Sequence, residues 1–184
     1  MQIISEWIKR KLQKYLPEDK SMDSALTYGI NMAVYTFLST MGLVILGFLL
    51  GKPLESLIII AVCYTNQTIG GGHHANSHLK CFLTMVVSLT LGIVLSGLNM
   101  PASIMSSMGA IGCACLFLIP VVLHPKRFYL KGKLPYFTKR SRIVTIIESI
   151  ILVVLILFHS SFYKVYVIGM LLSAISRVVA KFEH

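Results

Sequence analysis

YGINMAVYTFLSTMGLVILGFLL, residues 28–50, runs from end to end without a charged side chain. A helix needs roughly 17–25 apolar residues to cross the hydrocarbon of a bilayer, and this stretch meets that length alone. Downstream, a second apolar run starts at Leu54, carries LIIIAVCY over residues 57–64 and turns polar at Thr65-Asn66-Gln67-Thr68 before ending at about Ile69. Phe82 to Leu98 makes a third run, and Ala102 to Leu123 a fourth, with Pro120 near its end. Ile143 to Phe158, interrupted by Glu148, is the fifth, and Phe162 to about Ala180 the sixth. These runs predict an all-α integral membrane protein with about six transmembrane helices. Four spans plus two re-entrant hairpins is the alternative, because the second run is short and its inner end is polar.

Composition agrees with the runs. Of 184 residues, 55% are hydrophobic and 13% charged, with mean hydropathy +0.77, whereas soluble domains carry about 25% charged residues. An ordinary soluble domain is excluded, and most of the surface must face lipid. The length suits one membrane domain over residues 1–184, with 28–180 as its transmembrane core. Residues 1–16 read as an amphipathic interfacial helix. Ile3, Ile4, Trp7, Ile8, Leu12, Tyr15 and Leu16 recur at helical spacing, and Lys9, Arg10, Gln13 and Lys14 take the other side. Pro17-Glu18-Asp19 ends that pattern. The segment has no apolar signal core and no small-residue cleavage site, so it is expected to stay in the mature protein.

Charge sets the orientation. With six spans and the N-terminus inside, fifteen of the 17 Lys and Arg fall on the inner face, leaving only Lys52 and Lys164 outside. Both termini and the connection after the second run are then cytoplasmic. Such clusters in a membrane protein point to anionic lipid head groups, not to nucleic acid. Cys63, Cys81, Cys113 and Cys115 lie in or beside apolar runs, which does not suggest a disulfide framework.

That cytoplasmic connection carries the chemistry. Gly70-Gly71-Gly72 precedes His74, and Cys81 follows seven residues later at the mouth of the third run. A thiol becomes a nucleophile where a base or positive potential favours the thiolate. If the third helix starts near Asn76 or Ser77, Cys81 lies close to its N-terminus, where the helix dipole favours thiolate, and Lys80 adds positive charge. His74 can act as general base and then as general acid. On one straight helix the two residues would be about 10 Å apart along the axis, too far for a hydrogen bond. The chain between them must turn, and the glycines permit that. The glycine amides, or the polar groups of Asn66, Gln67 and Ser77, are available to an oxyanion or to substrate. A metal site competes, since His74, His78 and Cys81 follow i, i+4, i+7, with His73 adjacent. It would make the chain a metal-binding membrane protein or transporter, but leaves the glycines unexplained. Glu148, the acid within a span, is expected to pair with Arg142 or another loop cation.

Gly71-Gly72-His73-His74-Ala75, five residues, then Cys81 resembles the Gly-Gly-x-His-Ala-(five residues)-Cys signature of the accessory gene regulator AgrB family. The likeness extends along the whole chain: a basic amphipathic start, about six apolar segments and a Lys/Arg-rich loop between the fourth and fifth. It implies a membrane cysteine endopeptidase that processes an AgrD-like quorum-sensing propeptide, with Cys81 as nucleophile, His74 as base and acid, and Gly70, Gly71 and Gly72 shaping the active-site turn. It implies no cofactor and no bound metal, and allows a homodimer in the bacterial cell membrane. One position departs: relatives carry an Arg seven residues before the catalytic His, where this chain has Gln67, so a cationic role there does not carry over. Lys126, Arg127, Lys131, Lys133, Lys139, Arg140 and Arg142 fill the basic loop. They are expected to draw in an acidic propeptide tail, to bind lipid, or both.

Overall fold

The computed structural model describes residues 20–71, 78–122, 132 and 134–183. These form six helices: α1 (Lys20–Leu49), α2 (Pro53–Gly70), α3 (His78–Gly97), α4 (Ala102–Leu118), α5 (Leu134–Leu157) and α6 (Phe162–Glu183). Among the described residues there is no strand, as the sequence predicts. The amphipathic helix expected over 1–16 lies outside the described residues.

The helix ends have local causes. Gly51, at φ +67°, closes α1, with the Lys52 amide donating to the Gly47 carbonyl at 3.0 Å. Pro53 then opens α2 at a position where its missing N–H costs nothing. Ile119 is extended ahead of Pro120, because proline disfavours the helical region for the residue before it. The fourth helix therefore stops at Leu118 and not at Leu123. In the opposite sense, α5 starts at Leu134, well before Ile143. Lys139, Arg140 and Arg142, expected in a loop, ride on its first turns, since Lys and Arg extend a helix readily where it leaves the apolar layer.

Among the described residues three helices are long and apolar enough to cross a membrane: Gly29–Leu49, Leu79–Gly97 and Phe162–Phe182; Ala102–Leu118 is apolar but shorter. The polar end of α2 lowers its hydropathy, and Arg140, Arg142 and Glu148 interrupt α5.

The chain divides into two compact units, Met1–Leu46 and Gly47–His184. The first holds most of α1. In the second, α6 packs against α2, α3, α4 and α5. Its buried Tyr166, Val167, Ile168, Met170 and Ala174 join Val62, Met105, Leu116 and Leu152 in the core. Glycines bring the backbones together. A Cβ at Gly109 of α4 would lie 3.0 Å from Leu152 and 3.2 Å from Val167, and one at Gly169 of α6 would lie 3.2 Å from Val62. Small residues do this work between helices in lipid, where burial of apolar surface supplies little drive. Polarity in this unit runs inside out. Leu79, Val87, Val94, Ile146, Ile150, Val153 and Ile175 are exposed, whereas Ser56, Asn66, Ser141, Thr145, Glu148, Ser173 and Arg177 are buried. Lipid, not water, suits such an exterior.

Candidate functional site

α2 ends where the glycine run begins. Its buried face is Ser56, Ile59, Val62, Asn66 and Gly70, one residue per turn or so. Gly71 leaves the helix at φ 71°, ψ 174°, and its amide donates back to the Gln67 carbonyl at 3.1 Å. Only glycine adopts that conformation without strain. Space demands it too, because a Cβ there would run into the Val122 carbonyl. The Val122 amide donates to the Gly70 carbonyl at 3.2 Å. The chain leaving α2 toward His74 is thus tied to the chain leaving α4 toward the basic loop.

Arg177 of α6 seals this junction. It is 1% exposed, and its Nη1 donates to the Leu116 carbonyl at 2.6 Å, in the last turn of α4. A Cβ at Gly70 would overlap its guanidinium. Behind it, Asn66 Nδ2 of α2 donates to both carboxylate oxygens of Glu148 of α5, at 2.8 and 2.9 Å. The charges of Glu148 and Arg177 act on one another. Ser141, Thr145 and Glu148 line the buried face of α5, so one end of the bundle holds a polar core joining four helices.

This corrects the pairing expected for Glu148. Its partner is Asn66, not Arg142, whose guanidinium lies 5.4 Å from the centre of the Phe117 ring. The two residues follow different faces of α5: Glu148 is buried with Ser141 and Thr145, while Arg142 is exposed. Asn66 consequently has its Nδ2 engaged within the bundle, by Glu148 and by the Val62 carbonyl at 3.0 Å.

Cys81 lies on the first described turn of α3 and is half-buried. Gly70, Gly71 and Gln67 are placed as above. His74, Gly72 and Ser77 lie outside the described residues, as does His73. The break at Gly71 removes a straight helix on the upstream side of the pair. Lys139, Arg140 and Arg142 are exposed on α5; Lys126, Arg127, Lys131 and Lys133 lie outside the described residues. Among the described residues no three His, Cys, Asp or Glu side chains gather as for a metal ion. The other thiols sit at helix contacts: Cys63 lies 3.7 Å from the Gly169 carbonyl, and Cys113 and Cys115 pack against the core.

Sequence reasoning passed over Arg177. The available signal was an arginine inside the apolar run SAISRVVA, and ionisable residues within spans are functional candidates by default. Its position near the chain end made it read as an inner-face cation instead.

The family model for accessory gene regulator B matches residues 1–177. An AgrB-like protein of Clostridium perfringens is 32% identical over 89 residues, which is 48% of this chain and 47% of that protein. The matched stretch therefore spans about half the length of that relative. No solved structure matches the chain.

Proposed function

Because the chain belongs to the accessory gene regulator B family, we propose that it is a membrane cysteine endopeptidase of peptide quorum sensing. Its substrate is an AgrD-like propeptide, and Cys81 and His74 are its nucleophile and its base. The observation that carries this reading is the interruption between α2 and α3. Helix α2 stops at Gly70, Gly71 turns away at positive φ, and Cys81 re-enters on the first described turn of α3. His74 falls in the short connection between those two ends.

The steps follow from the two groups. His74 takes the proton of the Cys81 thiol, and the thiolate attacks the carbonyl carbon before the propeptide's C-terminal tail. The C–N bond breaks, the imidazolium returns the proton to the leaving amine, and the tail departs. The peptide remains on Cys81 as a thioester. A thiol or hydroxyl within the peptide then attacks that thioester, giving a thiolactone or lactone ring and freeing Cys81. The acyl group stays activated throughout, so the exchange requires no nucleotide. A site at the membrane edge limits water, which favours cyclisation over hydrolysis. The asymmetry of the basic residues supports a cytoplasmic position for this site and both termini.

Co-expression with the propeptide, followed by mass spectrometry of the truncated and cyclised products, tests the reading. Cys81→Ala and His74→Ala should each abolish processing, and His78→Ala should be mild. Normal processing by either of the first two variants would refute the mechanism, and loss with His78→Ala would favour a metal site.

A further inference from the structure

A guanidinium buried inside a membrane bundle is costly unless its N–H groups meet acceptors. Arg177 satisfies this only in part. Nη1 reaches the Leu116 carbonyl, while Nε and Nη2 have no partner among the described residues. Those two nitrogens face the end of α2: a Cβ at Gly70 would overlap Nη2 and lie 3.0 Å from Nε. Two features offset part of that cost. Gly70 is the last residue of α2 and Leu116 lies in the last turn of α4, so the guanidinium sits between two helix C-termini, where partial negative charge collects. The charge of Glu148 adds to this, and Glu148 is itself held by Asn66.

We propose that Arg177 is a positioning residue for the peptidase, a role that rests on reading His74 and Cys81 as base and nucleophile. Its guanidinium, seated where Gly70 has no side chain and anchored to Leu116, fixes the backbone exit of α2. His74 follows four residues after that exit in the chain. Gly70 and Arg177 work as a size-matched pair, and the bond from the Val122 amide to the Gly70 carbonyl holds the same exit from the other side. Arg177 touches no reacting atom. Its contribution is to the geometry of the base, so its loss should appear in turnover and not in affinity for the propeptide.

The test uses the full chain in lipid nanodiscs with a synthetic propeptide, comparing Cys81→Ala, Arg177→Ala, Arg177→Lys, Gly70→Ala and the Gly70→Ala/Arg177→Ala double variant. Arg177→Ala should lower kcat by about 100-fold, the cost of misplacing a catalytic group by about 1 Å, with KM little changed. Arg177→Lys should recover part of the loss. Gly70→Ala should be as harmful as Arg177→Ala, and the double variant no worse than either single one, because the collision is gone. Additive losses, or a change in KM with kcat intact, would overturn the inference. Should Arg177→Ala fail to accumulate, Gly70→Ala with normal kcat overturns it equally. Full activity in Cys81→Ala would instead overturn the peptidase reading itself.

Discussion

Asn66 and Glu148, 82 residues apart in the chain, are joined by one amide nitrogen that donates to both carboxylate oxygens at 2.8 and 2.9 Å. Both are buried, at 3% and 5% exposure. The bond ties α2 to α5 at the end of the bundle where α2 gives way to the glycine run. In a low-dielectric interior such a pair is worth most as a whole, and the two halves are not equivalent.

Removing the donor should therefore cost more than softening the acceptor. Asn66→Leu leaves the Glu148 carboxyl group buried without the hydrogen bonds from Asn66, a loss of about 1–3 kcal/mol for an unsatisfied buried acceptor. Glu148→Gln keeps an acceptor opposite Asn66 and should cost about 1 kcal/mol. Thermal unfolding midpoints in detergent report the difference, with Asn66→Leu clearly lower. Equal midpoints would mean that the bond contributes little.

Gly71→Ala combines two faults, a positive φ and a Cβ that meets the Val122 carbonyl. The backbone strain alone is of order 1–3 kcal/mol, and relieving the overlap requires the exit of α2 to part from Val122. Processing should fall sharply. Gly29→Ala is the control: it sits inside α1 with open space around it, so it should stabilise the helix by about 0.5–1 kcal/mol and leave processing as it was. Abundance in membranes together with the product yield separates the two outcomes.

The helical class and the existence of every described helix were legible from uncharged runs such as residues 28–50, because lipid forces all backbone polar groups into helices. Boundaries were less so. The fourth run was read past Pro120 to Leu123, whereas α4 ends at Leu118, and the start of α5 did not show, since Lys139, Arg140 and Arg142 look the same in a loop and on a helix emerging from the apolar layer. The Gly-Gly-x-His-Ala-x5-Cys pattern marked the connection where α2 breaks. Its support did not show: nothing in the sequence around Glu148 names Asn66 as its partner, because a contact between two helices depends on how their faces are turned. Arg177 opposite Gly70 was hidden for the same reason.

Thiol reactivity offers a check that needs no substrate. Cys81 stands half-buried on the first described turn of α3, and the proposed mechanism requires His74 to activate its thiol. Cys63 is held between α2 and α6 against the Gly169 carbonyl. A water-soluble alkylating reagent should modify Cys81 first, as read by peptide mass spectrometry, and His74→Ala should slow that reaction selectively. Faster labelling of Cys63 would count against an activated Cys81.

The exposed cations of α5 permit a sharper separation, because two roles for them predict different kinetics. Lys139, Arg140 and Arg142 stand on its first turns, with Arg142 also over the Phe117 ring. Exposed charge pairs are worth about 0.2–1 kcal/mol each, so Lys139→Gln with Arg140→Gln should raise KM for an acidic-tailed propeptide by up to about 10-fold while kcat holds. The effect should shrink in high salt, where screening shortens to about 3 Å at 1 M. A propeptide with a neutralised tail should be insensitive to both changes. Arg142→Gln should add a loss of stability of about 0.5–1 kcal/mol from the missing cation–π contact. If the acidic and neutral tails respond alike, the cations serve lipid and topology instead, and vesicles without anionic lipid should then reproduce the defect in the unmodified chain.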